Sequence, residues 1–262
     1  DASALYAAGW TAPERAVVKA ADGVTDLTCA IYKPFDFDPE KSYPVVDDIY
    51  PGPQVSSTPL RFPHASGTLT AEKTGASFAA LGFVVVVVDA RGSALRSQAF
   101  QDHARRSGDA VFVDDHVAAI AQLGQTRPWM DLDRVGIHGH SAGGYASTRA
   151  MLQRPDFFKV GVSVSGNHDN RINHAWWGEK FFGLTEDFDF ERQANAALAD
   201  RLEGKLFLMH GEMDDNAVPH GTMRLVDALI KANKDFDLLI VPNADHSLMI
   251  NRAYFVRRRW DY

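Results

Sequence analysis

A single cysteine, Cys29, among 262 residues excludes an intramolecular disulfide and leaves the redox compartment unreadable. It reads as a small buried apolar residue of a strand. Long apolar runs are missing too. The longest, residues 83–88, falls far short of the roughly 20 residues that a membrane-crossing helix needs. No excess of positive charge is present either: a net charge of -7 gives no general reason to expect nucleic acid or an anionic membrane as partner. The run Arg257, Arg258 and Arg259 reads as a solvated helix end. No Gly-x-Gly-x-x-Gly or P-loop pattern occurs, so no nucleotide cofactor is implied. No internal repeat, low-complexity tract or Pro/Gly-rich linker divides the chain. The sequence opens at Asp1 without a charged and then apolar leader, as a mature form or an excised piece would. A periplasmic or secreted location and a cytoplasmic one both remain open.

What is present is ordinary globular composition, 45% hydrophobic and 23% charged, with enough chain to bury one large core. Short β-branched runs alternate with longer amphipathic segments, the pattern of strands joined by crossover helices in a mostly parallel sheet. Strands are expected at residues 27–33, 45–50, 83–89, 135–140, 160–164, 206–210 and 236–241. The valines at 84–88 show no polar alternation, which implies a central strand buried on both faces. Helices are expected at 74–81, 109–123, 142–153 and 220–232, with a last one running from near Ser247 towards Arg258. Residues 167–190, rich in aromatics, read as irregular.

Gly139-His140-Ser141-Ala142-Gly143 matches the Gly-x-Ser-x-Gly nucleophile elbow and lies between a predicted strand and a predicted helix. A serine at so sharp a turn has a strained backbone, and the flanking glycines remove side chains that would clash there. The helix that follows directs its first amides at the site, so the Ala142 N–H can stabilise an oxyanion. A serine hydroxyl is a weak nucleophile and needs a histidine base with an orienting carboxylate. His246 follows the strand ending near Val241. The carboxylate is to be sought among Asp214, Asp215 and Glu212, which share one loop, and Asp245 beside the histidine, with Asp214 preferred. The order Ser, Asp, His is that of the α/β-hydrolase fold, a mostly parallel central sheet flanked by helices. The alternating His138 and His140 face the same side of a strand, yet neither they nor the other histidines show a recognised metal-ligand spacing.

Taken together, Gly139-His-Ser-Ala-Gly-Gly-Tyr145, His210-Gly-Glu-Met-Asp-Asp-Asn216 and Asn243-Ala-Asp-His246 resemble the catalytic domain of prolyl oligopeptidase-type serine peptidases. Within that family they are most similar to the dipeptidyl peptidase IV-like branch. Tyr50-Pro-Gly-Pro53, Asp89-Ala-Arg-Gly92 and Trp177-Gly-Glu-Lys-Phe-Phe-Gly-Leu184 extend the resemblance over nearly the whole chain from about Leu27. The resemblance implies that Asp214 is the triad acid and that Tyr50 is the second oxyanion donor through its hydroxyl. It places Asn216 on a substrate backbone carbonyl, and Trp177, Phe181 and Tyr145 in the substrate-binding set for proline or another small residue. If residues 177–181 are helical, Trp177 and Phe181 share a face. Ala142 stands where the animal dipeptidyl peptidases carry a bulky aromatic, which implies a roomier pocket.

The resemblance also implies a missing N-terminal β-propeller, so residues 1–262 read as one catalytic domain with residues 1–26 as a lead-in. The apolar face left by that propeller would favour self-association into a homodimer. The expected activity is peptide-bond cleavage through an acyl-enzyme, by a dipeptidyl peptidase or oligopeptidase needing no cofactor. Carboxylesterase action on the same fold and a silent binding module are the competing readings.

Overall fold

The computed structural model describes residues 3–59, 75–106, 111–248 and 252–262. Eight strands form one sheet: β1 (Glu14–Lys19), β2 (Asp26–Tyr32), β3 (Tyr43–Asp48), β4 (Val84–Asp89), β5 (Met130–His140), β6 (Phe158–Val164), β7 (Lys205–Gly211) and β8 (Asp237–Val241). Their order is β1-β2-β4-β3-β5-β6-β7-β8. The first two pairings, β1 with β2 and β2 with β4, are antiparallel, and the other five are parallel. This is the α/β-hydrolase arrangement expected from the alternation of strands and helices.

The valines of β4 are all buried, as their unbroken run requires. On one face, the helices Val111–Gln125, Ala142–Gln153 and Pro219–Lys231 pack Val113, Ile120, Met151, Leu225 and Leu229 against Val86, Ile137, Leu206 and Leu208. The other face is covered by Gly75–Ala79 near Val85 and by Arg252–Asp261, whose Phe255 and Val256 meet Val164, Phe207 and Met209. Cys29 is buried in β2, and burial pushes its thiol up to about 12.

Four differences from the sequence reading have physical causes. The strand β1 was not foreseen, because Glu14-Arg-Ala-Val-Val-Lys19 is a half-solvated edge whose Val17 is 66% exposed and only Ala16 and Val18 pack inward. β5 begins five residues earlier than expected and passes the irregularity between Val135 and Gly136. The last helix spans Arg252–Asp261, not from Ser247: Ser247 and Leu248 lie in a turn, with Leu248 at φ 56°. Arg259 is not a solvated helix end, since it is buried with its guanidinium over the rings of Phe78 and Phe255. Thr74 and residues 109–110, expected in helices, lie outside the described residues.

The order of the strands positions the site. From β3 the chain crosses to β4 on one side, and from β5 it proceeds to β6 on the other. The carboxyl ends of β3 and β5 therefore flank a switch point, where open α/β sheets leave a crevice. Leu208, 1% exposed in β7, tests the core: Leu208→Ala should cost about 2–5 kcal/mol in urea denaturation. Val17→Ala on the exposed edge should stay within about 0.5 kcal/mol of wild type in the same measurement.

Candidate active site

Ser141 stands between β5 and the helix Ala142–Gln153 at φ 61° and ψ -120°, a conformation that non-glycine residues rarely adopt. Such a backbone costs about 1–3 kcal/mol and persists only where its surroundings over-determine it. The Ser141 N–H donates to the Val164 carbonyl at 2.8 Å, and the Ser141 carbonyl accepts from the Tyr145 N–H at 3.0 Å. The helix then passes so near the end of β3 that a Cβ on Gly143 would overlap the Ile49 carbonyl oxygen. A Cβ on Gly139 would likewise overlap the Gly143 backbone.

His246, in the turn after β8, brings Nε2 to 2.9 Å from Ser141 Oγ and Nδ1 to 2.7 Å from Asp214 Oδ2. Asp214 is 4% exposed. Its Oδ1 accepts from the Asn216 and Ala217 N–H groups at 3.0 and 2.9 Å, and its Oδ2 also lies 3.1 Å from His210 Nε2. Burial alone would raise the Asp214 carboxyl, but hydrogen bonds from His210, His246 and the loop hold it well below the usual carboxylate range. The rival carboxylates Glu212 and Asp245 are engaged elsewhere. Glu212 accepts from the Asn243 N–H, and Asp245 accepts from the backbone and hydroxyl of Ser247. Asp215 is exposed, and its carbonyl accepts from His174 Nε2 at 3.0 Å.

Tyr50 follows β3, and its phenol hydrogen-bonds to the Ser141 side chain while accepting from Gln54 Nε2 at 3.4 Å. Burial pushes this phenol up, against those two hydrogen bonds, so it keeps its proton as a donor. Ala142 opens the helix, where backbone N–H groups have no acceptor inside the helix. Two supporting features had no signal in the sequence. The Ser57 hydroxyl donates to the Tyr50 carbonyl at 3.1 Å, and the loop carrying Ser57 is fastened by Ser56, Ser57 and Thr58 to the buried Asp89. His140, considered above only for metal spacing, donates from Nε2 to the His246 carbonyl at 2.8 Å, its ring 4.8 Å from the other imidazole. Partners 106 residues apart leave no local pattern to read.

Residues 167–190 are not wholly irregular: they contain the helix Ala175–Phe181, on which Trp177 and Phe181 meet edge to face at 4.5 Å. The shared face is therefore present. Asn216 is exposed on the Asp214 loop. Tyr145 is placed differently from the expectation that it lines the substrate site. Its ring belongs to the core, with the Phe112 ring 6.5 Å away, and its hydroxyl donates to the Gln193 carbonyl at 2.9 Å, because a residue one turn into the elbow helix is enclosed by the neighbouring helix and the segment at Gln193. Among the described residues, no group of three or more His, Cys, Asp or Glu could hold a metal ion. No helix among them is long and apolar enough to cross a membrane.

The sequence profile of the prolyl oligopeptidase family matches residues 71–262. The chain belongs to this family. It is 33% identical over 246 residues to dipeptidyl peptidase 8 of Homo sapiens, an alignment covering 92% of this chain and 27% of that protein. To prolyl endopeptidase FAP of Mus musculus it is 27% identical over 92% of this chain and 31% of that one. The crystal structure of Porphyromonas gingivalis dipeptidyl peptidase 4 superimposes with a TM-score of 0.87 at 28% identity, over 99% of this chain and 36% of that one. The chain thus spans about a third or less of the length of these family members.

Two measurements probe the packing behind the site. Gly143→Ala should destabilise the fold by at least about 1–3 kcal/mol, because neither backbone can yield to the added methyl; denaturation midpoints read this. His168, 1% exposed and accepting from Asn195 Nδ2 at 3.0 Å, is pushed down to about 3, chiefly by burial. The unfolded chain, with its ordinary value of 6.5, binds this proton first. Stability from neutral His168 is therefore complete above pH 6.5 and declines as pH falls towards 3. Urea unfolding across that window should show a shallower decline in His168→Gln.

Proposed function

We propose that this chain carries out peptide-bond hydrolysis by acyl transfer, with Ser141 as nucleophile, His246 as general base and Asp214 as the orienting acid. One observation carries the reading: Tyr50, Ser141, His246 and Asp214 follow four different strands, yet form one continuous hydrogen-bonded line at the sheet's carboxyl edge. Membership of a serine peptidase family agrees with it. In the first step His246 Nε2 takes the Ser141 proton as Oγ attacks the carbonyl carbon. The Tyr50 hydroxyl and the Ala142 N–H hold the developing oxyanion, and His246 then protonates the departing amine. Water repeats the sequence on the acyl-enzyme.

The substrate we propose is a peptide with proline or another small residue before the cleaved bond, its ring or side chain against Trp177 and Phe181, with Asn216 on its backbone. Dipeptidyl release is the action that the names of the relatives suggest. Contacts that hold a longer peptide in register are assigned to the rest of a longer protein, including an N-terminal propeller, with residues 1–262 as its catalytic domain.

A fluorophosphonate should label wild type at Ser141 and leave Ser141→Ala unlabelled, and that variant should lose several orders of magnitude in turnover. Asp214→Asn should lower kcat by about 10⁴, through the wrong histidine tautomer, and Asp215→Asn far less. Tyr50→Phe should cost about 10² to 10³ in kcat with KM little changed. An Xaa-Pro anilide assayed beside a nitrophenyl ester decides between bond types: hydrolysis of the ester alone, by this chain and by any longer protein containing it, would make it a carboxylesterase.

A further inference from the structure

His210 lies in β7, four residues before Asp214, with its ring completely buried. Three polar groups meet it: Thr222 Oγ1 at 2.7 Å from Nδ1, and the Ala217 carbonyl at 2.7 Å and Asp214 Oδ2 at 3.1 Å from Nε2. Both neighbours of Nε2 are acceptors, so Nε2 carries the proton; in the neutral ring Nδ1 then accepts from the Thr222 hydroxyl. Asp214 Oδ2 is also the atom 2.7 Å from His246 Nδ1. One carboxylate oxygen therefore sits between two imidazole N–H donors, one facing solvent chemistry and one wholly buried. A buried imidazole without partners would be costly, and a phenyl ring would fill the same volume at no such cost. All three polar contacts instead run to the stretch from Asp214 to Thr222, the segment whose placement decides where the carboxylate points.

We propose that His210 is a positioning residue of the acid–base pair: its Nε2–H holds Asp214 Oδ2 in register with His246 and ties that carboxylate to its loop through the Ala217 carbonyl. The Thr222 hydroxyl selects the ring tautomer that makes this possible. His210 touches neither substrate nor the reacting serine, and it acts only through Asp214. The proposal rests on the acyl-transfer reading of Ser141, His246 and Asp214.

The test compares His210→Phe, His210→Gln and Thr222→Val with wild type. His210→Phe keeps the volume and removes the donor; His210→Gln returns an N–H at the reach of Nε2. Turnover of a nitrophenyl ester is followed together with the far-downfield proton resonance of the His246 Nδ1–H, assigned by its loss in Asp214→Asn. In His210→Phe, kcat should fall about 10- to 100-fold with KM within about twofold, and the resonance should broaden or vanish while circular dichroism stays native. His210→Gln should recover kcat to within about fivefold of wild type and restore the resonance. Thr222→Val, with the ring in place, should lower kcat about three- to tenfold. If His210→Phe fails to fold, the Gln and Val variants still decide. Wild-type kcat and resonance in a folded His210→Phe, a folded His210→Gln as impaired as a folded Phe variant, or unchanged kcat in Thr222→Val would each overturn the proposal. Full activity in Ser141→Ala would instead remove the acyl-transfer reading, and the resonance would still report whether His210 holds Asp214 on His246.

Discussion

The approach of the helix Ala142–Gln153 to the end of β3 is the constraint on which the site depends. The helix lies so close that Gly143 meets the Ile49 carbonyl with no room for a side chain. That proximity brings Ser141, on the turn into the helix, against the Tyr50 phenol that follows Ile49, and it holds Ser141 in its left-handed backbone. A looser contact would relax the turn and part Ser141 from the phenol. The strain of about 1–3 kcal/mol at Ser141 is thus offset by packing that lies outside the chemistry.

Around this contact, each proposed catalytic side chain is held by groups that do not react. Asp214 is fastened by the amides of its own loop and by His210, and His246 is fastened at its carbonyl by His140. Tyr50 is fastened at its carbonyl by Ser57, whose loop is anchored on Asp89. Because these anchors are buried or half-buried, their hydrogen bonds work in a medium that screens them less than water would. Preorganisation of this kind spares the reaction the reorientation of dipoles at the moment charge develops.

Much of this was legible from local pattern. The unbroken valines of β4, the elbow at residues 139–143 and the carboxylate and histidine after the late strands each carry their information within a few neighbouring residues. So does the spacing of Trp177 and Phe181, which becomes a shared face once that segment is helical. The edge strand β1 was not legible, since Glu14–Lys19 packs only through Ala16 and Val18 and takes its place from pairing with β2. Arg259 is charged and near the end of the chain, yet it turns inward onto Phe78, a partner 181 residues earlier in the sequence.

The sequence by itself determined the fold class, the proposed nucleophile and base, and the short set of carboxylates from which the proposed acid had to come, because periodicity, turn chemistry and chain order are local properties. Tertiary structure put one of those carboxylates, the Asp214 that the resemblance implied, 2.7 Å from His246 Nδ1. Asp214, Asp215 and Glu212 are near neighbours in one loop, and only the path of that loop over Ala217 and His210 points Asp214 at His246 while turning the others to solvent or to the Asn243 amide. It also placed the Tyr145 ring in the core, His140 on the His246 carbonyl and His210 beside Asp214. Such roles depend on which strand ends lie side by side, and adjacency across a sheet is set by the packing of the whole chain, not by any segment of it.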